Sequence, residues 1–334
     1  MRMFKKVLFI SLSIFLFFFL LLASSMVGKA PQVDDISWGV TFSQKYARDL
    51  GLDWQEAYLA MFDDLGVKRV RIPIYWDFVE GEEEEYYFEE VDWMFEQALK
   101  REVEIIPVVG IRVPRWPECH LPEWAEELEK VEQQERILKL IEKIVLRYRD
   151  NDNLIYWQVE NEPFLVLFGE CPWSDKNFLK EEVELVRKLD PDTPILISES
   201  GELSTWFQGA QIADTVGTSL YRQTWWHAVG GGYIWVPVTP VHYYRKSQVI
   251  DRLFQTDVIC TELQAEPWGP APTFIISLEE QEKSMDIDRF KDNIEYAKRT
   301  GLSTFYFWGV EWWYWMKTVH EQDEFWEEAR KVFE

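Results

Sequence analysis

The sequence predicts an α/β chain: a single (β/α)8 TIM barrel preceded by an N-terminal hydrophobic export or anchor segment. Three observations carry this. From Ser37 onward, short apolar runs alternate with longer amphipathic stretches, the pattern of repeated βα units around a parallel sheet. Eight such runs can be placed. No Pro/Gly/Ser-rich linker divides the 334 residues, and single barrels with insertions reach that length.

The chain opens with Met1-Arg-Met-Phe-Lys-Lys6, followed by Val7 to Leu22, an uncharged run interrupted only by two serines. Basic residues before such a run mark a topogenic signal, so residues 1–30 read as a signal peptide or membrane anchor. Gly28-Lys-Ala30 supplies small residues for cleavage, whereas the run's length also suits a tether over residues 7–23. The expected location is outside the membrane, secreted or held at its outer face. Residues 31–334 form the expected catalytic domain.

The first strand is Ser37 to Phe42 and the second Lys68 to Tyr75, separated by a helix from Trp54 to Leu65 that stops at Gly66. A helix from Val91 to Lys100 leads to the third strand, Val103 to Val109. A long amphipathic helix from about Glu123 to Tyr148, with Leu138, Ile141, Val145 and Tyr148 at helical spacing, precedes the fourth, Asn153 to Val159. The fifth is Pro194 to Ser198, the sixth Thr215 to Tyr221, the seventh Asp257 to Thr261 and the eighth Ser303 to Trp308. Residues 226–242, with Gly230-Gly-Gly232 and several prolines, read as an elaborated loop after the sixth strand.

Composition excludes several classes. Without residues 1–30 the chain carries 31 basic and 59 acidic residues, a balance of −28 that repels phosphate backbones and anionic lipid. Nucleic acid is therefore not an expected partner, and membrane contact is expected only through the N-terminal segment. The glycine triplet lacks the Lys and Ser/Thr of a phosphate-binding loop. Three cysteines and four histidines, widely scattered, predict neither a metal site nor a cofactor. Cys119 and Cys171 fall in neighbouring strand-end loops and could pair in an oxidising compartment, while Cys260 sits in an apolar strand as an inert thiol.

Chemistry enters at Asn161-Glu162-Pro163, a carboxylate with an amide beside it just past an apolar strand, and at Glu262 in a like setting. Strand ends are where barrel active sites sit. The two glutamates are 100 residues apart, about three units at roughly 31 residues per unit, and strands four and seven face each other across an eight-stranded mouth. Paired carboxylates so placed suggest acid/base chemistry on a glycosidic bond.

The run YWQVENEP (156–163) with TELQAEPWG (261–269) three strands later resembles the clan of retaining glycoside hydrolases built on (β/α)8 barrels, the cellulase and β-galactosidase-like superfamily. The stretch 67–109 is similar to that clan's second and third units. The resemblance covers about residues 36–330. It implies Glu162 as general acid/base, Glu262 as nucleophile, Asn161 on the sugar 2-hydroxyl, Arg71 holding the nucleophile charged, Tyr221 donating to it and Trp308 as a stacking platform. A separation of about 5–5.5 Å between the two carboxyls would accompany retention through a covalent glycosyl-enzyme. The substrate class implied is an extracellular oligo- or polysaccharide. The chain departs from cellulase-like members in two places: strand three continues as Gly110-Ile-Arg-Val-Pro114 without their histidine pair, and Ser219 replaces their strand-six histidine.

Glu160 and Glu266 are the rival carboxylates, and Glu199 and Glu202 are further polar groups at the mouth. Most of the 18 tryptophans should be packing residues. Those at strand ends are different: Trp76 and Trp268, besides Trp308, are candidates for sugar stacking, followed by Trp116, Trp312, Trp313 and Trp315. A transglycosylase would share all these residues, whereas a catalytically silent carbohydrate-binding barrel, the alternative of a different class, would have no need of two opposed carboxylates.

Overall fold

The structure, a computed structural model, describes residues 24–226 and 230–334. The expected segment at residues 7–23 lies outside the described residues, among which no helix is long and apolar enough to cross a membrane. Among the described residues ten strands form: β1 Ser37–Thr41, β2 Arg69–Pro73, β3 Glu104–Val109, β4 Trp157–Val159, β5 Ile195–Glu199, β6 Thr215–Leu220, β7 Gln223–Trp226, β8 Gly232–Trp235, β9 Asp257–Gln264 and β10 Thr304–Trp308. Eight of them close a parallel barrel in the order β1-β2-β3-β4-β5-β6-β9-β10, returning to β1. The loop expected over 226–242 contains an antiparallel hairpin, β7 with β8, outside the barrel.

Both faces of such a sheet are covered, which is why its strands read as continuous apolar runs. Inside the barrel Ile106, Leu196, Ile259 and Tyr306 pack together. Outside it Val70, Ile72 and Ile105 join the helix residues Ile137, Ile141 and Ile144 in one large core. Gly39 on β1 makes room for the interior tyrosine, since a Cβ there would lie 2.7 Å from the Tyr306 ring.

The expected helix over 123–148 is two helices, Glu123–Glu126 and Lys130–Tyr148. Glu129 starts the second, its side chain accepting the amide of Glu132 while the Glu132 carboxylate accepts the amide of Glu129. The fourth strand is shorter than expected, because Leu154 makes only an isolated bridge to Ile105 and pairing with β5 begins at Trp157. The seventh barrel strand, β9, is longer and carries Glu262 within it. Its register with β6 shifts between Thr218 and Ser219, so that Ser219 pairs with Glu262. Such an irregularity re-aims side chains at a strand end.

Candidate active site

Arg71 organises the site. It projects from β2, is fully buried, and its planar fork reaches three other strands and the turn after β4. Nε donates to Gln158 Oε1 at 2.7 Å, Nη2 to Asn161 Oδ1 at 2.6 Å, and Nη1 to Glu262 Oε1 at 3.1 Å and Thr41 Oγ1 at 3.3 Å. One cation therefore holds residues of β1, β4 and β9 together. The other oxygen of Glu262 accepts a hydrogen bond from Tyr221 Oη at 2.9 Å, just past β6. Tyr221 is itself positioned by Glu202, whose Oε1 accepts from the Tyr221 amide at 2.8 Å and from Tyr243 Oη at 2.7 Å.

Past β4 the chain turns sharply. Glu160 (φ 60°) and Glu162 (φ 44°) both adopt left-handed backbone, a conformation that costs a non-glycine residue energy and is retained where it serves a site. The turn sends the two acids different ways. Glu160 points back under β3, where it accepts from the amides of Ile111 (2.9 Å) and Arg112 (2.7 Å) and faces the buried Glu182. Gly110, at φ 119°, is what lets it in, because a Cβ there would stand 2.3 Å from Glu160 Oε1. Burial pushes Glu160 up to about 7 and raises Glu182 as well.

Glu162 points into the mouth. Its amide donates to Ser198 Oγ at 2.9 Å, and its Oε1 accepts from Ser219 Oγ at 2.9 Å. Burial, then the negative charges of Glu262 and Glu118, raise its carboxyl well above the ordinary glutamate value, against smaller pulls from Ser219 and Arg112. The environments of Glu162 and Glu262 thus differ in kind. Glu262 faces a guanidinium at 3.1 Å and a phenol at 2.9 Å, whereas among the described residues the one side-chain donor to Glu162 is a neutral hydroxyl.

The second rival acid, Glu266, is bound elsewhere: it pairs with Arg115, which also reaches Glu311 at 2.9 Å. The Arg115 guanidinium lies between two rings, 3.8 Å from that of Tyr46 and 4.2 Å from that of Trp308. Trp308 is the last residue of β10, paired with Gln264 at the end of β9, and Arg115 covers one of its faces. Trp268 packs edge-on against Tyr221 (5.0 Å) and beside Phe168 (5.3 Å), which meets Trp116 at 5.9 Å. With Trp116 57% exposed, these four rings run from the hydroxyl beside Glu262 out to solvent.

Trp76 needs a correction. It was expected at the mouth, but it lies in the short helix Trp76–Val79, fully buried, with its indole donating to Glu80 Oε2 at 2.8 Å and its ring edge-on to Trp124. No face is left for a sugar. Trp312 and Trp313 are likewise core residues, their indoles donating to Gln281 and to the Ala265 carbonyl.

Sequence reading missed Gln158 and Ser198, and above all Glu118. Asn161 Nδ2 donates to Glu118 Oε2 at 3.0 Å, placing a third carboxylate beside the other two. Burial and the charge of Glu262 push Glu118 up to about 7 against the opposing Arg112. It lies in the irregular loop well past the end of β3, where no periodicity singles it out. Cys119 beside it is joined to Cys171 by a disulfide that ties this loop to the one after β4, and Cys260 is free and buried.

Solved structures share this fold at low identity. The β-galactosidase of the Antarctic haloarchaeon Halorubrum lacusprofundi matches with a TM-score of 0.55 at 14% identity, over 81% of this chain and 52% of that one. GH5_18 from Streptomyces cattleya, solved with GlcNAc, matches at 0.56 and 14%, over 84% and 71%. Endo-glycoceramidase II from Rhodococcus sp., captured as a lactosyl-enzyme intermediate, matches at 0.52 and 15%, over 84% and 75%. The chain spans about half the length of the β-galactosidases it resembles. No curated protein sequence matches it. The family model for Cellulase (glycosyl hydrolase family 5) matches residues 37–309, from the start of β1 to the residue after β10. With that span matched across all eight barrel strands, the chain belongs to glycosyl hydrolase family 5.

Proposed function

We propose that the protein is an exported retaining glycosidase that cleaves an oligo- or polysaccharide by double displacement, with Glu162 as acid/base and Glu262 as nucleophile. In the first step a Glu262 oxygen attacks the anomeric carbon while Glu162 gives its proton to the departing glycosidic oxygen. The bond to the leaving group breaks as an ester to Glu262 forms. In the second step the Glu162 carboxylate takes a proton from water, whose oxygen attacks the same carbon and releases Glu262. The Arg71 cation stabilises the carboxylate at the start and end of the cycle, and Tyr221 orients it.

The observation that carries this reading is the unequal setting of the two acids, one beside a cation and one pushed to hold its proton, which is how two carboxyls come to play two roles. The lactosyl-enzyme form of the Rhodococcus relative is consistent with it. Export rests on the basic and apolar N-terminus and on the disulfide, a bond typical of oxidising compartments. Residues 31–334 are the catalytic domain in this reading. Ser219 in place of a histidine leaves cellulose without particular support as the substrate.

The test is turnover of a panel of aryl glycosides by wild type and by Glu262→Ala. Turnover lost in the variant supports the enzyme; a wild type that binds glycans but cleaves none would make the barrel a binding module.

A further inference from the structure

We propose that Glu118 determines specificity: its free carboxylate oxygen accepts a hydrogen bond from the sugar hydroxyl next to the reacting carbon, the one bound by Asn161. This rests on the reading of Glu162 and Glu262 given above. Glu118 joins their site through a continuous chain of contacts, Oε2 to Asn161 Nδ2 (3.0 Å), Asn161 Oδ1 to Arg71 (2.6 Å), and Arg71 to Glu262 (3.1 Å). Asn161 Oδ1 also accepts from Ser198 Oγ at 3.0 Å, which fixes the amide with its nitrogen toward Glu118. That nitrogen carries two protons and uses one on Glu118. No described residue donates to Glu118 Oε1. A sugar hydroxyl seated there can accept the second amide proton and donate its own to Oε1, satisfying all three groups at once.

A structural ion pair would be the simpler role for a buried acid, but the geometry does not favour it. Arg112 Nε is 3.9 Å from Glu118, and its donors are committed to the carbonyls of Asn161 (2.8 Å) and Phe168 (2.9 Å). The loop is nevertheless shaped to bring the carboxylate here. Glu118 sits at φ 76°, its amide donates to the Arg115 carbonyl at 2.8 Å, and its carbonyl accepts from the Val113 amide at 2.9 Å. The facing loop yields to it at Gly169, where a Cβ would stand 2.8 Å from the Glu118 Cβ. The Cys119–Cys171 disulfide then locks the two loops together. Glu118 is nearly enclosed, but Oε1 keeps an opening to solvent, so a ligand hydroxyl can reach it and take the place of water there.

The experiment compares kcat/KM of wild type and Glu118→Gln on an aryl glycoside that wild type cleaves and on its 2-deoxy analogue. Gln keeps the shape and can still accept from Asn161, but then presents a donor to the hydroxyl. The expected result is a loss of roughly 10- to 100-fold on the hydroxyl substrate with less than about 3-fold on the deoxy substrate. Equal losses on both, or no loss on either, would overturn the inference. The ratio within one preparation does not depend on the fraction folded. If wild type cleaves no glycoside, the double-displacement reading fails, and calorimetric titration of the free sugar and its 2-deoxy form still decides Glu118. Preference for the hydroxyl sugar, lost in E118Q, supports it; equal binding by both proteins overturns it.

Discussion

Replacing Ser219 with alanine tests how the protein sets the proton affinity of Glu162. Ser219 Oγ lies 2.9 Å from Glu162 Oε1, and its proton is committed there because the Gly201 amide approaches the same oxygen as a donor at 3.1 Å. A hydrogen bond to a charged partner contributes about 1.5–3 kcal/mol. A protonated carboxyl retains part of that bond, so the difference between the two forms is about 1.4 kcal/mol, or about one pKa unit. The hydroxyl favours the charged form of Glu162, so removing it raises an already raised pKa. The basic limb of kcat/KM against pH, which reports the acid of the free enzyme, should move up by about one unit. Glu118→Gln should move it the other way, because the Glu118 charge is one of the causes raising Glu162. A Ser219→Ala limb that stays in place or moves down would refute the reasoning. The same variant leaves the Gly201 amide without its acceptor and should lose about 1–3 kcal/mol of stability in denaturant unfolding.

Arg71→Met should leave Glu262 buried without its counter-ion. A loss of about 3–5 kcal/mol by denaturant unfolding is expected, with a fall in kcat of more than about 100-fold on any glycoside that wild type cleaves. Stability should decline as pH rises from about 5 to 8. Glu118, Glu160 and Glu311 are each pushed up to about 7 from 4.5, so each binds its proton more firmly when folded. Their contribution is fully present below about 4.5 and is lost as pH passes about 7, at most about 3 kcal/mol each, measured as a falling Tm. Cys119→Ser opens a link across 52 residues, and chain entropy puts the loss near about 4 kcal/mol, measured by urea unfolding of oxidised wild type and variant.

Much of the barrel was legible because its strands are buried on both faces and read as apolar runs, and helix starts and stops are written locally. Glu162 and Glu262 stand out as candidates because each follows an apolar run in the sequence, and the structure sets their carboxyls near enough for the charge of one to raise the other. The helix break at Glu129 was not legible, since a capping box of two glutamates hides within a charged amphipathic stretch. Glu118 was invisible for a different reason: its place depends on an irregular loop, on Gly169 across from it and on a disulfide, none of which leaves a periodic trace. Trp76 misled because a tryptophan just past a strand end can as easily turn into a helix and satisfy its indole on Glu80, four residues on. Ser219 was read only as a missing histidine, although the register shift on β6 aims its hydroxyl at Glu162.

The central claim is that Glu262 attacks the sugar from one side while Glu162 assists departure, and then water's entry, on the other. Its most direct test is the anomeric configuration of the first-formed product, followed by proton NMR on an aryl glycoside before mutarotation. Two displacements at one carbon restore the starting configuration, so the account predicts retention. A product that first appears with the opposite configuration would contradict it.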